Sequence, residues 1–161
     1  MKTTALHFVN LIALFALIAV SASILTSCQP EGCTDPMSDN YDPKAKVDDG
    51  SCVPWRDKFI ANYTGTNACT GSSAEDVSIV ITTSGTTEDG IVITVPGAGL
   101  IFTATVDAKD SFTVPVQEIL YKGAPVDISG SGGLSGAELT INYDLAVEPL
   151  SVSCSLAGNQ L

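Results

Sequence analysis

From residue 55 onward the chain alternates apolar and polar residues in short runs that are separated by turn signals. The runs are rich in β-branched residues and are close to period two, as half-buried β-strands are. Eight strands are predicted, at 59–63, 77–83, 91–95, 100–106, 111–116, 126–129, 138–143 and 150–156. Segments rich in Gly, Asp or Pro separate them at hairpin spacing, including the glycine-rich stretch 130–136, which we interpret as a turn. We therefore predict an all-β domain over residues 55–161, an antiparallel up-and-down meander closed as a barrel or folded as a β-sandwich.

The N-terminus reads as an export signal. An apolar run at 8–24 follows Lys2 and is long enough to span a bilayer, so an uncleaved membrane helix is the alternative. The run ends in Leu25-Thr26-Ser27-Cys28, which resembles the lipobox of bacterial lipoproteins. The resemblance implies that a signal peptide, residues 1–27, is removed, that Cys28 is acylated and that residues 28–32 form a lipidated tether. Gln29 is not the aspartate that marks inner-membrane retention, so the prediction is an outer-membrane lipoprotein on the periplasmic face or the cell surface.

Cysteine parity agrees with lipidation of Cys28. An exported protein with five cysteines needs one that lies outside the internal disulfides. Acylation of Cys28 leaves Cys33, Cys52, Cys69 and Cys154, which allow three connectivities. Proximity and domain organisation favour Cys33–Cys52 and Cys69–Cys154, and the second pair would join the two ends of the predicted sheet.

Residues 33–52 form a short module between two cysteines, which we interpret as a spacer. Asp-Pro occurs twice and Asp-Asp-Gly once, so tight turns are predicted rather than a long helix or strand. The module is also rich in side-chain oxygens, which suggests a calcium site. The candidate ligands are Asp35, Asp39, Asn40, Asp42, Asp48 and Asp49. Their spacing differs from that of an EF-hand, and the alternative is that they form and cap turns in a solvated loop.

Two parts of the chain resemble known proteins. Gly-Cys-Thr-Asp-Pro at 32–36, Asn-Tyr-Asp-Pro at 40–43 and Asp-Asp-Gly-Ser-Cys at 48–52 resemble a cysteine-bounded module of secreted and surface proteins of Bacteroidota. This resemblance implies a Bacteroidota-type source and a Cys33–Cys52 disulfide. The segments 57–64, 114–117, 128–136 and 152–155 look like those of small lipocalin-like lipoprotein domains of Bacteroidota, which implies a lipocalin-like barrel.

Charge and residue content exclude several functions. The formal charge is −11, and removal of Lys2 with the signal leaves six basic against eighteen acidic residues, near −12. Such a surface repels phosphate backbones, so nucleic acid is not an expected partner. The only histidine, His7, leaves with the signal, which removes the usual base of hydrolases and the common zinc sites. Apart from the hypothesised calcium, no cofactor is predicted.

These observations lead to one main interpretation and two alternatives. The protein is predicted to be a lipid-anchored extracytoplasmic binding or structural module of the bacterial envelope, not an enzyme, with the membrane as partner through its lipid and a further protein or small-molecule partner unknown. One alternative is a lipocalin-like carrier of a small apolar ligand. The other is a carboxylate-dependent hydrolase, which needs two acids at a set separation across a cleft.

Overall fold

The computed structural model describes residues 29–161. The predicted signal peptide and Cys28 lie outside the described residues. An N-terminal module, residues 29–54, is followed by a closed barrel of eight antiparallel strands. The predicted all-β meander is confirmed and, of the two forms considered, it is the barrel. No helix within residues 29–161 is long and apolar enough to cross a membrane.

The barrel strands follow one another around the wall in chain order. They are β3 (Asn62–Cys69), β4 (Glu75–Thr83), β5 (Gly90–Val95), β6 (Leu100–Ala108), β7 (Ser111–Tyr121), β8 (Ala124–Ser135), β9 (Glu138–Val147) and β10 (Leu150–Gln160). Each strand pairs with the next, and β10 closes the barrel by pairing with β3 from Gln160↔Tyr63 to Cys154↔Cys69. Period-two alternation places the apolar side chains inside, where they form one continuous core.

The strand connections lie at the two ends of the barrel. We call one end the base; it carries the strand connections 84–89, 109–110 and 136–137. We call the other end the mouth; it carries the connections 70–74, 96–99, 122–123 and 148–149.

The predicted first strand at 59–63 is wrong in its position. Trp55–Phe59 is a 3₁₀ helix, and the strand begins only at Asn62. Phe59 is fully buried beneath the barrel, where its ring meets that of Phe112 edge to face at 5.4 Å between centroids. The buried hydroxyl of Tyr63 donates a hydrogen bond to the carbonyl oxygen of Phe59 at 2.9 Å. These aromatic contacts fill the base, so the interior is solid at this end.

The glycine-rich stretch 130–136 is not the turn that its composition predicts. Residues up to Ser135 belong to β8, which pairs with both β7 and β9, and only residues 136–137 form the connection. A Cβ at Gly132 would overlap the ring of Phe112, its partner on β7. Glycine is required there because the aromatic ring occupies the space that a side chain would need, a contact that no local sequence pattern reveals.

The pairing of β6 with β7 is confined to the base half of the barrel, at 105–108 and 111–113. A bulge on β7 between Val114 and Gln117 accompanies Pro115, which has no backbone N–H to donate. Above it, the amide of Gln117 replaces the missing backbone pairing. Its Oε1 accepts from the backbone N and Oγ1 of Thr103, both at 2.9 Å, and its Nε2 donates to the carbonyl oxygen of Thr103 at 2.7 Å.

The N-terminal module packs against the base. It contains a parallel pair of two-residue strands, β1 (Glu31–Gly32) and β2 (Val47–Asp48). Lys58 and Lys109 both reach Asp39 Oδ1, with Nζ at 3.4 and 3.1 Å. Burial alone would raise the pKa of Asp39, but hydrogen bonds and charge from Lys109 and Lys58 outweigh it and lower that pKa. The module is therefore docked on the barrel rather than held away from it.

Candidate ligand site at the barrel mouth

The mouth contains a cavity of about 490 Å³ that is open to solvent. This volume lies within the range of small-molecule sites, and the lining is mainly apolar. The apolar lining comes from the mouth ends of β7 to β10 and consists of Tyr121, Val126, Leu145, Val147, Leu150 and Val152. Three of these side chains are strongly exposed for apolar groups: Leu150 at 74%, Val147 at 55% and Val152 at 41%.

The wall of the cavity on the β3 side carries one inward polar side chain, Asn67. Asn67 lies opposite the fully buried Leu156 of β10, which shows that it points to the inside of the barrel. Its Oδ1 accepts a hydrogen bond from the hydroxyl of Tyr143 at 3.0 Å. Burial raises the pKa of Tyr143, so this hydroxyl stays protonated at neutral pH and acts as a donor. The hydrogen bond thus holds the Asn67 side chain in one orientation.

Charged groups lie only at the rim of the cavity. Glu75 is exposed and is the register partner of Asn67 across β3 and β4. Lys122, in the β7–β8 connection, has its ammonium 5.1 Å from the centre of the Tyr121 ring. The remaining polar lining consists of small hydroxyl side chains, including Ser72 and Ser73.

Both disulfides that the sequence favours are present. Cys69–Cys154 joins β3 to β10 at the mouth, with 3.9 Å between the Cα atoms, and Cys69 lines the cavity. This disulfide spans the junction where the last strand closes on the first. Cys33–Cys52 closes the N-terminal module at the opposite end. Lipidation of Cys28 falls outside the described residues and stays a prediction.

The structure does not gather the predicted calcium ligands into a preformed site. Within residues 29–161 no three acidic, histidine or cysteine side chains are grouped as a metal ion requires. Four of the candidates instead accept hydrogen bonds from the backbone two residues further along, and Asn40 accepts one from a residue thirteen positions away. The pairs are Asp35 with Met37 N, Asp42 with Lys44 N, Asp48 with Gly50 N, Asp49 with Ser51 N, and Asn40 Oδ1 with Val53 N. Asp39 is engaged by lysines, and calcium binding stays an untested hypothesis.

Asn67 is not identified from the sequence as a residue of the mouth cavity, because the first barrel strand is predicted too early in the chain. A strand at 59–63 ends before Asn67, whereas a strand at 62–69 puts Asn67 in phase with the buried Tyr63. An asparagine on the apolar face of a strand was the available signal. The closeness of Asn67 to Tyr143 could not be read locally, because the two residues are 76 positions apart.

The described chain is thus a closed antiparallel β-barrel with a mainly apolar cavity at its mouth. No family model matches the chain, and no solved structure matches it. Among curated proteins, chloroplastic ribulose bisphosphate carboxylase/oxygenase activase 1 of Larrea tridentata is 75% identical over 24 residues, 15% of this chain and 5% of that protein. The corresponding activases of Arabidopsis thaliana and Oryza sativa subsp. japonica are 67% identical over 24 residues, with the same shares. The chain spans about a twentieth of these relatives, so the likeness shows no family.

Proposed function

We propose that the protein is a lipid-anchored binding module of the bacterial envelope whose barrel holds a small apolar molecule in the mouth cavity. The observation that carries the proposal is the contrast between the two ends of the barrel. The base is filled by Phe59, Tyr63 and Phe112, whereas the mouth has an open cavity of about 490 Å³ with an apolar lining.

The exposed lining supports a ligand rather than an idle surface. Burial of apolar area contributes about 25 cal/mol per Å². Much of this stabilisation is absent for three exposed side chains that line the same opening: Val147, Leu150 and Val152. Contiguous exposed apolar groups around a concavity are typical of binding sites. A ligand in the mouth would cover these side chains.

The position of the tether supports access from the aqueous side. The described chain starts in the N-terminal module, which is docked at the base through Asp39, Lys58 and Lys109. An acylated Cys28 would lie next to that module, and two or three acyl chains suffice for stable attachment. The mouth is at the other end of the barrel, so it faces away from the anchoring membrane in this proposal.

The mouth is tested with N-phenyl-1-naphthylamine, a neutral apolar fluorophore that brightens when it leaves water. We expect saturable binding to the mature chain, which in this proposal is residues 28–161. We expect Leu150→Asp to weaken the affinity for the fluorophore at least tenfold, because a carboxylate then faces the apolar cavity. The matched control is Ile101→Asp on β6, which is also an exposed aliphatic residue but does not line the cavity. No binding by the mature chain, or an equal loss in both variants, contradicts the proposal.

The anchor is tested separately in cells that make the full chain. Cys28→Ser removes the sulfur that the lipid needs, and we expect the protein to move from the membrane fraction to the soluble fraction or to retain its signal. Mass spectrometry of the unaltered protein should find an acylated Cys28 as the first residue. An unmodified Cys28 thiol in the purified native protein would overturn the anchor without affecting the mouth site.

Docking of a protein partner is the second candidate function. It is favoured by the exposed apolar side chains of the β9–β10 hairpin, of which Leu150 is the most exposed. Fluorophore binding separates the two candidate functions. A ligand site in the mouth gives saturable binding that Leu150→Asp weakens, whereas a surface that only docks a protein gives no saturable binding.

A further inference from the structure

We infer that the ligand of the mouth is a neutral apolar molecule that carries a hydrogen-bond acceptor, such as a ketone, ester or alcohol oxygen, and is not a carboxylate. The inference rests on the proposed function and deepens it. It depends on the inward side chain of Asn67, on the hydrogen bond that orients this side chain and on the charges around it.

Asn67 offers the cavity a donor and not an acceptor. The hydroxyl of Tyr143 donates to Oδ1 at 3.0 Å, which directs the amide so that Nδ2 is left for other partners. Within the described part of the chain, the Asn67 side chain makes its hydrogen bond through Oδ1; no buried side-chain nitrogen there lacks a partner, so Nδ2 is open to the solvent of the cavity. Asn67 lines the cavity, so a bound molecule is within reach of these N–H groups. An acceptor oxygen on the ligand complements them.

The charges around Asn67 disfavour an anionic oxygen. Glu75 lies directly opposite Asn67 across β3 and β4. Its carboxylate would therefore repel an anionic oxygen of a ligand bound at Asn67. The positive charge of Lys122 lies on the other side of the mouth, in the β7–β8 connection, with its ammonium 5.1 Å from the centre of the Tyr121 ring. The mature chain has a formal charge near −12, which adds to the repulsion of anions. A carbonyl or hydroxyl oxygen meets the donor without this cost.

The aliphatic side chains of the lining indicate that the remainder of the ligand is apolar. The side chains of four further lining residues contribute no hydrogen-bonding groups to the cavity: Val126, Leu145, Val147 and Val152. A chain or ring system of carbon atoms fills such a space by burial alone. The geometry thus separates the two parts of the ligand, with one acceptor at the β3 wall and an apolar body towards β8, β9 and β10.

The test compares 2-decanone with decanoate as competitors for bound N-phenyl-1-naphthylamine at pH 7. These molecules have the same chain length and differ in the charge of the oxygen group. We expect the ketone to displace the fluorophore at least tenfold more effectively from the mature protein. In Asn67→Asp we expect the ketone to lose about tenfold more affinity than the fluorophore loses in direct titration of the same variant, because the ketone accepts a hydrogen bond from Asn67; tenfold is the scale of one hydrogen bond in a desolvated site.

Asn67→Asp is chosen because a carboxylate still accepts the hydrogen bond from Tyr143 but donates none to the ligand. Asn142→Asp is the charge-matched control, since Asn142 is exposed on β9 and does not line the mouth cavity. Should Asn67→Asp unfold, Asn67→Leu removes the same donor without adding charge and should show the same loss for the ketone.

The possible outcomes separate this inference from the proposed function. Equal displacement by ketone and carboxylate, or a ketone affinity that no Asn67 variant alters, overturns the ligand class and leaves the mouth as a site for apolar molecules. Absence of fluorophore binding to the unaltered protein overturns both. The expected result is a tenfold ketone preference in the unaltered protein, together with a loss of ketone affinity in Asn67→Asp that Asn142→Asp does not show.

Discussion

A variant with serine at both Cys69 and Cys154 should lose about 4 to 5 kcal/mol of unfolding free energy, the largest loss that we expect from a single structural change in this protein. The two cysteines are 85 positions apart, and chain-entropy models assign a loop of that size a stabilisation of this order. The disulfide also spans the pairing of β10 with β3, on which barrel closure depends. Urea unfolding of residues 29–161 with both disulfides oxidised, compared with the variant, measures the difference.

The control for that experiment is the corresponding double-serine variant at Cys33 and Cys52. Their loop is shorter, with a separation of 19, so the same models give about 3 kcal/mol. That loss should be confined to the N-terminal module, and fluorophore binding at the mouth should persist. A larger loss from the Cys33–Cys52 variant than from the barrel variant would contradict the assignment of the Cys69–Cys154 disulfide as the closure of the sheet.

Gly65→Ala should destabilise the barrel by about 3 kcal/mol or more, although it adds only one methyl group. Gly65 lies on β3 opposite Gly158 of β10, and a Cβ there would overlap the carbonyl oxygen of Ala157. The obstacle is backbone in a paired strand, so relief requires the two strands to separate at the junction that closes the barrel. Overpacking of this kind usually costs about 1 to 3 kcal/mol and more where the neighbours cannot move.

Gly85→Ala is the matched control for Gly65→Ala. Gly85 lies in the β4–β5 connection, and a Cβ there would have no neighbour within 4 Å. Its unfolding free energy should stay within about 0.5 kcal/mol of the unaltered protein. Similar midpoints of urea unfolding for the two alanine variants would show that β3 and β10 do not approach as closely as the structure has them.

The consequences for function follow from the same junction. Cys69 lines the mouth, and Asn67 precedes it by two residues on the inner face of β3. Loss of the disulfide or insertion of a side chain at Gly65 should therefore weaken fluorophore binding as well as stability. The Leu150→Asp variant should weaken binding alone, because Leu150 is exposed and makes little contribution to the core.

Strand content was predictable wherever local alternation was regular. The runs at 91–95 and 100–106 match β5 and β6 closely, since each buries every second side chain. Prediction failed where a distant side chain decided the local structure. The glycines of β8 suggest a turn, yet they pair with β7 and β9 as part of a strand, and the ring of Phe112 occupies the space that a side chain at position 132 would need. Phe59 looks like a strand residue, yet it closes the base from a 3₁₀ helix.

The amino-acid sequence by itself determined that this is an all-β chain of hairpins, because strand periodicity and turn residues act over short distances along the chain. Cysteine parity and domain organisation left three connectivities and favoured the one that the structure contains. Only the tertiary structure decided between barrel and sandwich, since this choice depends on whether β10 pairs with β3. It also decided that the base is filled and the mouth is open, because side-chain volumes from strands far apart in sequence add up in the same interior. Asn67 and Tyr143 are hydrogen-bonded for the same reason: closure of the barrel brings their side chains together.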